Sequence, residues 1–390
     1  MSLRPFILSL SISVLMLGQA GAQDRTPFFR RTLEKLLAPS MGLDPDAVYQ
    51  PAPRWSFALT GDFRQAVISQ QNSADVDVYS AEEGKDPVMM TLPVSASSCL
   101  RGGVQKTVGI QAGYGNLALS LRKKIGKGGE NSTFSFDFLG AGYAMQVQYF
   151  KYSQPVDYDF RLGDEAIGHY FHEEGVTMNP GNMRALILDA MYSFNRRTFV
   201  YCGAYKDNKF QRRNAGSFML GSKLILGEYK LDPHEEIVLW TGGQARQTTA
   251  QISFGGGYSY NFVPLHRQPH GDREKGLRNL TINVTALPMV TLFNQFTSTL
   301  YQLDAQADED FVFVPAHKTH MNGKLKVNYI VRAGIGYSHD LITLNLSASV
   351  DSFAYRGRTT MPYAETSFTD VDFSGEFSRW TVGLRIGKRF

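Results

Sequence analysis

Long hydrophobic runs are missing from this chain beyond its first residues. After Ala22 no stretch approaches about 18 consecutive apolar residues, so helical membrane spans are excluded there. An excess of one charge is missing too. Lys and Arg number 40 against 36 Asp and Glu, a formal net charge of +4 without a basic block, so nucleic-acid binding has no support. Cysteine is reduced to two residues, Cys99 and Cys202. A bridge would need their Cα atoms within about 7 Å. With Cys202 inside a strand pattern and Cys99 near a strand end, two unpaired thiols are the favoured reading. Catalytic signatures are scarce: there is no His-Glu-x-x-His, no Gly-x-Ser-x-Gly and no Asp-rich metal loop.

Aromatic residues and glycine are abundant. The chain holds 26 Phe, 19 Tyr and 37 Gly, and only 19% of its residues are charged. That balance fits one large all-β unit better than two or three soluble domains. The N-terminus carries targeting features: Arg4, an apolar run from Pro5 to Leu17, and the small residues Ala20-Gly21-Ala22. Residues 1–22 are expected to be a signal peptide cleaved before Gln23. Residues 23–54 are expected to form a short periplasmic lead-in. Phe28, Phe29, Leu33, Leu36 and Leu37 recur at helical spacing, followed by a linker with Pro45, Pro51 and Pro53. This segment either leads into the next region or plugs or braces its mouth.

From Trp55 onward the pattern has period two. Leu280, Ile282, Val284 and Ala286 alternate with Thr281, Asn283 and Thr285, and Ile342, Leu344, Leu346, Ala348 and Val350 alternate with polar residues. The segments run about 9–14 residues, the length a tilted strand needs to cross the hydrocarbon layer. A soluble sandwich also alternates, but its strands are commonly about five or six residues long. Residues 55–390 are therefore expected to form a closed antiparallel transmembrane β-barrel in the outer membrane of a Gram-negative bacterium. The last segment is its clearest strand: Trp380, Val382, Leu384, Ile386 and Phe390 share one face, and Lys388 interrupts it near the end. This strand is expected to act as the signal read by the barrel-assembly machinery.

Fourteen strand candidates can be drawn, including 88–98, 104–114 and 198–205. Counting back from Phe390 with short turns periplasmic and long loops outside, parity breaks twice: between 198 and 250, and upstream near 88–98, which contains Pro93. Twelve strands are thus expected, with fourteen as the alternative. The registers place Arg122, Asp137, Asp189, Lys223, Arg332, Asp351 and Arg385 inside, where both signs can pair and fill a small lumen. Long outer loops are expected at 153–182, 294–326 and 356–376.

Several stretches carry a resemblance: Phe194-Asn195-x-Arg197-x-Phe199, Gln211-x-x-Asn214-Ala215-Gly216-Ser217, Gly257-Tyr258-Ser259-Tyr260-Asn261-Phe262-Val263 and Ala286-Leu287-Pro288. With these the chain resembles an uncharacterised family of bacterial outer-membrane β-barrel proteins, a domain of unknown function. The resemblance implies a barrel and its address, and no activity or catalytic residues. Physically, Asn195 suits a tight reversal with positive φ, Gly216 and Gly255–Gly257 suit close packing, and Pro288 suits a bulge or bend.

No catalytic site, metal or cofactor is expected. The histidine pairs His169 and His172, His317 and His320, and His266 and His270 read as solvated loop residues before they read as metal ligands. Ser338-His339-Asp340 reads as a periplasmic turn. The expected function is a non-enzymatic pore, transport or structural component. The alternatives are an outer-membrane enzyme acting on lipid or glycan, or a surface-interaction scaffold using the long loops. Substrate and protein partner stay open.

Overall fold

The computed structural model describes residues 42–52, 54–80, 88–126, 131–162, 171–230, 244–269, 276–303, 313–322, 327–364 and 367–390. The expected signal peptide and the expected helical part of the lead-in lie outside the described residues, as do His169 and His270.

The paired segments are β1 (Val48–Tyr49), β2 (Trp55–Ser80), β3 (Val88–Gly102), β4 (Gln105–Tyr114), β5 (Leu117–Lys124), β6 (Asn131–Leu139), β7 (Tyr143–Leu162), β8 (Phe171–Ser193), β9 (Phe210–Gln211), β10 (Ala215–Lys230), β11 (Gln244–Arg267), β12 (Arg278–Leu303), β13 (Phe313–Asn322), β14 (Val327–His339), β15 (Ile342–Ala364) and β16 (Ser367–Arg389). Twelve of them form a closed antiparallel ring. Chain neighbours pair in turn, and the first and last, β2 and β16, pair to close it. β3 and β4 both pair with β2, and β13 and β14 both pair with β12. Each couple is therefore one pass of the chain with an interruption.

This removes both parity breaks. Residues 88–98 belong to the same pass as 104–114. Residues 198–205 are not a strand at all but part of an irregular segment with a 3-10 turn at Tyr201–Ala204. Cys202 sits in that turn rather than in a strand, and both cysteines are free thiols. The expected outer loops are largely strand: β7 and β8 reach Leu162 and Phe171, β12 and β13 reach Leu303 and Phe313, and β15 and β16 reach Ala364 and Ser367. Strands of 23–26 residues exceed the about 9–11 that span a bilayer, so their distal halves stand above it as paired hairpins.

The β5–β6 hairpin is short, with strands of 8 and 9 residues. Above it β3 pairs directly with β7, from Ala96 opposite Leu162 to Gly102 opposite Val156. The wall thus loses two strands on that side above the hairpin.

The period-two pattern sorts side chains between lipid and lumen. On β14 exposed and buried positions alternate almost without break. Leu59, Ile110, Leu121, Leu220, Val284, Ile335, Leu346, Leu384 and Ile386 are exposed, while Thr60, Gln111, Ser120, Asn283, Asn345 and Arg385 are buried. A belt of exposed aliphatic side chains around a closed ring is stable in hydrocarbon and not in water. Aromatic pairs gather at the end with the short turns: Trp55 on Tyr114 at 5.3 Å, Tyr192 on Phe194 at 5.6 Å and Phe218 on Tyr258 at 5.3 Å. This is the girdle of an outer-membrane barrel at its periplasmic rim.

Phe390 belongs to that rim. Its ring packs edge-on against Phe57 at 5.9 Å, its N–H donates to the Trp55 carbonyl at 2.9 Å, and Lys388 Nζ lies 5.1 Å from its ring centre. The cation on the lipid face is thereby placed against an aromatic at the interface.

Pro288 does not make a bulge. Its strand keeps one register with β14 through Tyr329. Instead the β11–β12 ladder lacks pairs between Gly255–Met289 and Tyr258–Ala286. There the backbones approach so closely that a Cβ on Gly255 or Gly257 would run into the carbonyl oxygen of Pro288 or Ala286. The bulge falls further on, at Leu292, where the register shifts between Ile252 and Ser253. Gly257→Ala is expected to destabilise the barrel by about 1–3 kcal/mol. Heat-modifiable mobility on a denaturing gel measures it; a variant as heat-resistant as the parent would contradict the close approach.

Candidate functional site

The segment 194–214 joins β8 to β10 at the periplasmic end and turns into the lumen. Its entry is held by Asn195, which caps rather than reverses with positive φ. Its side chain accepts from Thr198 Oγ1 at 2.7 Å and donates to the Gly216 carbonyl at 3.0 Å, and its N–H donates to Ser217 Oγ at 2.9 Å. Asp340, in the β14–β15 turn, is the non-glycine residue with positive φ among the described residues.

Inside, the segment carries its own small core. Phe199, Val200, Tyr201 and Cys202 pack with Leu139, Ala144, Met191, Met219, Leu287, Met289 and Ile330 from the wall, and with Ala47 and Val48. Glycines make room: a Cβ on Gly334 would meet the Tyr205 ring and one on Gly336 the Ala204 backbone. The exposed carbonyls of the irregular backbone need partners in a sealed interior. Wall asparagines supply them. Asn261 donates to the Val200 carbonyl at 2.9 Å, Asn279 to Gln211 at 2.7 Å and Asn345 to Ala204 at 3.1 Å. Tyr205 Oη donates to Asn283 Oδ1 at 2.8 Å.

Charge completes the attachment. Lys206 Nζ donates to Asp137 Oδ2 at 2.7 Å, Arg385 Nη2 donates to Asp207 Oδ2 at 3.1 Å, and Lys209 Nζ donates to Asn116 Oδ1 at 2.6 Å. Burial pushes the Lys206 and Lys209 ammonium groups down, and Asp137 opposes the shift for Lys206. Burial pushes the Cys202 thiol up and holds the Tyr205 phenol well above its ordinary value. The lead-in braces this plug from below. β1 pairs with β9, Tyr49 stacks on Phe210 at 6.1 Å, and Asp44 pairs with Arg213 at 2.9 Å.

Beside the plug lies a polar chamber of about 180 Å³. The seven candidate residues all point to the interior; Asp189, Lys223, Arg332 and Asp351 share one ionic network, and Arg122, Asp137 and Arg385 pair elsewhere. Arg122 meets Asp62 at 3.2 Å, and Arg64 meets the same carboxylate at 2.8 Å. Asp189 takes Arg332 at 2.7 Å and Lys223 at 3.3 Å; Asp351 takes Lys223 at 3.0 Å and Arg379 at 2.9 Å. Asp137 and Arg385 are claimed by the plug. Asp62, Arg64 and Arg379 were missed by sequence reasoning, although Asp62 and Arg64 lie in phase with inward Thr60.

One inward position further from the plug, the lining changes character. Phe150, Ala185, Ile187, Ile225 and Phe353 form an apolar tier, with Phe377 and Met183 against it. The interior is thus stacked from the periplasmic end as plug, ionic tier and apolar tier.

Two of the described candidate histidines stand apart from this interior chemistry. His266 contacts Asn279 at 3.1 Å, and His320 contacts Thr297 at 3.1 Å on an exposed strand. Ser338 faces inward and is buried while His339 is exposed, so strand alternation separates them.

A family model described as Domain of unknown function (DUF4421) matches residues 90–374, most of the chain. The chain belongs to this family. The DUF4421 stretches quoted above frame the plug: 194–199 and 211–217 are its two ends, and Ser259 and Asn261 belong to the wall that grips it. No curated protein sequence matches the chain. Among solved structures it is similar to the outer membrane protease OmpT from Escherichia coli, with TM-score 0.37, 9% identity, and 85% of this chain and 97% of that one covered. It is also similar to a FadL homologue from Pseudomonas aeruginosa (TM-score 0.20, 10% identity, coverage 86% and 90%) and to the TodX monoaromatic hydrocarbon channel (TM-score 0.23, 8% identity, coverage 87% and 91%). At scores this low the likenesses carry no argument about activity.

Cys202 reports on the plug. In a Cys99→Ser background, a maleimide reagent should label unfolded protein fully and the folded barrel hardly at all. Asp207→Asn removes a charge-assisted bond of about 1.5–3 kcal/mol, so labelling should quicken about tenfold or more. Equal labelling of folded and unfolded protein would show that the plug is not seated.

Proposed function

We propose that this outer-membrane barrel is a non-enzymatic transport component, a small-solute conduit closed at rest by residues 194–214. The observation that carries the reading is the nature of the plug's attachment. It is held by hydrogen bonds, two ion pairs to Asp137 and Arg385, and a small apolar core, with both cysteines free. Each of those contacts can be exchanged for water, so displacement of the plug breaks no covalent bond. The wall it would leave behind carries Arg64, Arg122, Lys223, Arg332, Arg379 and Arg385 against Asp62, Asp137, Asp189 and Asp351. Six cations against four carboxylates favour anions at the constriction.

The strand face of Trp380, Val382, Leu384, Ile386 and Phe390 serves, in this reading, as the contact for the barrel-assembly machinery, and the belt contacts outer-membrane lipid. Deleting Phe390 removes the edge-on contact with Phe57 and should slow outer-membrane insertion in cells. Unchanged insertion would remove the assembly role and leave the barrel itself intact.

Planar-bilayer recording tests the conduit. The native barrel should be closed most of the time. Replacement of residues 198–211 by a Gly-Ser linker should give stable, anion-selective steps, read as the sign of the reversal potential in a salt gradient. A replaced barrel that folds yet passes no current overturns the proposal.

A further inference from the structure

We propose a second site, in the apolar tier: a binding site for a small neutral molecule made of one aromatic ring or short alkyl group bearing one hydrogen-bonding group. The tier encloses a chamber of about 90 Å³ lined by Phe150, Ile187, Ile225, Phe296, Phe353 and Phe377. Polar residues, among them Gln251, Glu228 and Thr249, share the lining with this apolar set, so the chamber suits a molecule that is mostly apolar and carries a polar group. Such a chamber is a better host for an apolar group than for solvent.

Among the polar lining residues, one stands out. Asn294 is 6% exposed, and neither its Oδ1 nor its Nδ2 has a hydrogen-bond partner. An amide buried without partners is costly. A hydroxyl, amide or carbonyl on a bound molecule would satisfy it.

The backbone aims Asn294 there by a specific device. Thr291 is inward and buried. The bulge then places Leu292 and Phe293 both on the lipid face, at 65% and 46% exposure. The phase is thereby reversed, and Asn294 and Phe296 turn inward. Bulges commonly re-aim side chains next to sites. Without this one, Asn294 would face lipid.

The charges around the chamber select for a neutral molecule. Lys223, whose Nζ lies 4.3 Å from the Phe353 ring centre, is paired with both Asp189 and Asp351. Arg379, beside Phe150, is paired with Asp351, and Glu228 at the chamber wall is paired with Arg246 at 2.6 Å. A charged ligand would have to break one of these pairs. The site reads equilibrium binding, so it stands apart from whether the plug opens.

Fluorine NMR of 4-fluorophenol and 4-fluorotoluene with the refolded barrel in micelles tests the proposal, with empty micelles as the reference for partitioning. The native barrel should broaden the phenol signal and bind it about tenfold more tightly than the toluene, which lacks the hydroxyl. Ile225→Phe fills the chamber and should abolish binding of both. Asn294→Leu keeps the volume and should abolish the preference for the phenol. Equal broadening by the native and Ile225→Phe barrels, as partitioning into detergent alone would give, overturns the site. A preference that survives Asn294→Leu overturns the role of the amide. Heat-modifiable mobility identifies folded variants. If Ile225→Phe does not fold, Asn294→Leu decides, because its loss or retention of the preference reads the same chamber.

Discussion

Everything inside this barrel follows from the cost of a charged or polar group sealed away from water. A ring of twelve strands encloses little space, and its inward positions carry Asp, Arg, Lys and Asn. Each needs a partner, and wall and inserted segment both supply them. Asp137 and Arg385 meet Gln146 and Gln111 on the wall, and their opposite charges, Lys206 and Asp207, on the inserted segment. The segment needs the wall, because its irregular backbone relies on wall asparagines to pair the carbonyls of Ala204 and Gln211. The plug thus takes its conformation from the wall, while the wall keeps its own ladder of strand pairing.

The stacking of tiers has the same origin. Ion pairs occupy the middle of the barrel, where residues from β8, β10, β14, β15 and β16 converge. Beyond them phenyl and aliphatic groups line the interior, and the two kinds of lining meet at Lys223, which pairs with two carboxylates and lies over the Phe353 ring. That one ammonium group joins the polar and apolar halves of the interior.

The sequence made the wall readable because alternation is local. Trp380 to Phe390 announces a strand with two faces, and the same phase puts Arg122, Asp189 and Arg385 inside. The plug was not readable. Phe199, Tyr201 and Ala204 interleave with polar residues much as a strand does, and only contacts with distant residues such as Asn261 and Asn345 distinguish the two. Its existence was visible indirectly, as a parity that failed between 198 and 250. The bulge at Leu292 was hidden for a related reason: Leu292-Phe293 reads as two ordinary apolar residues, and the phase change behind them depends on pairing with β11. Pro288 drew attention to the wrong place, since its missing N–H is accommodated by a gap in the ladder rather than by an extra residue.

The short β5–β6 hairpin imposes an order of events on the folding chain. β3 can reach β7 only over the top of that hairpin, so residues about sixty positions apart must wait until β4, β5 and β6 have zipped with their immediate neighbours. The ring itself waits longer. Trp380 meets Gln65 across a separation of 315 residues, a contact whose loop entropy is recovered only when the intervening meander is complete. Local hairpins form early, the β3–β7 collar later, and the β2–β16 seam last, so until that final step the two edge strands remain unpaired and open to pairing with another chain.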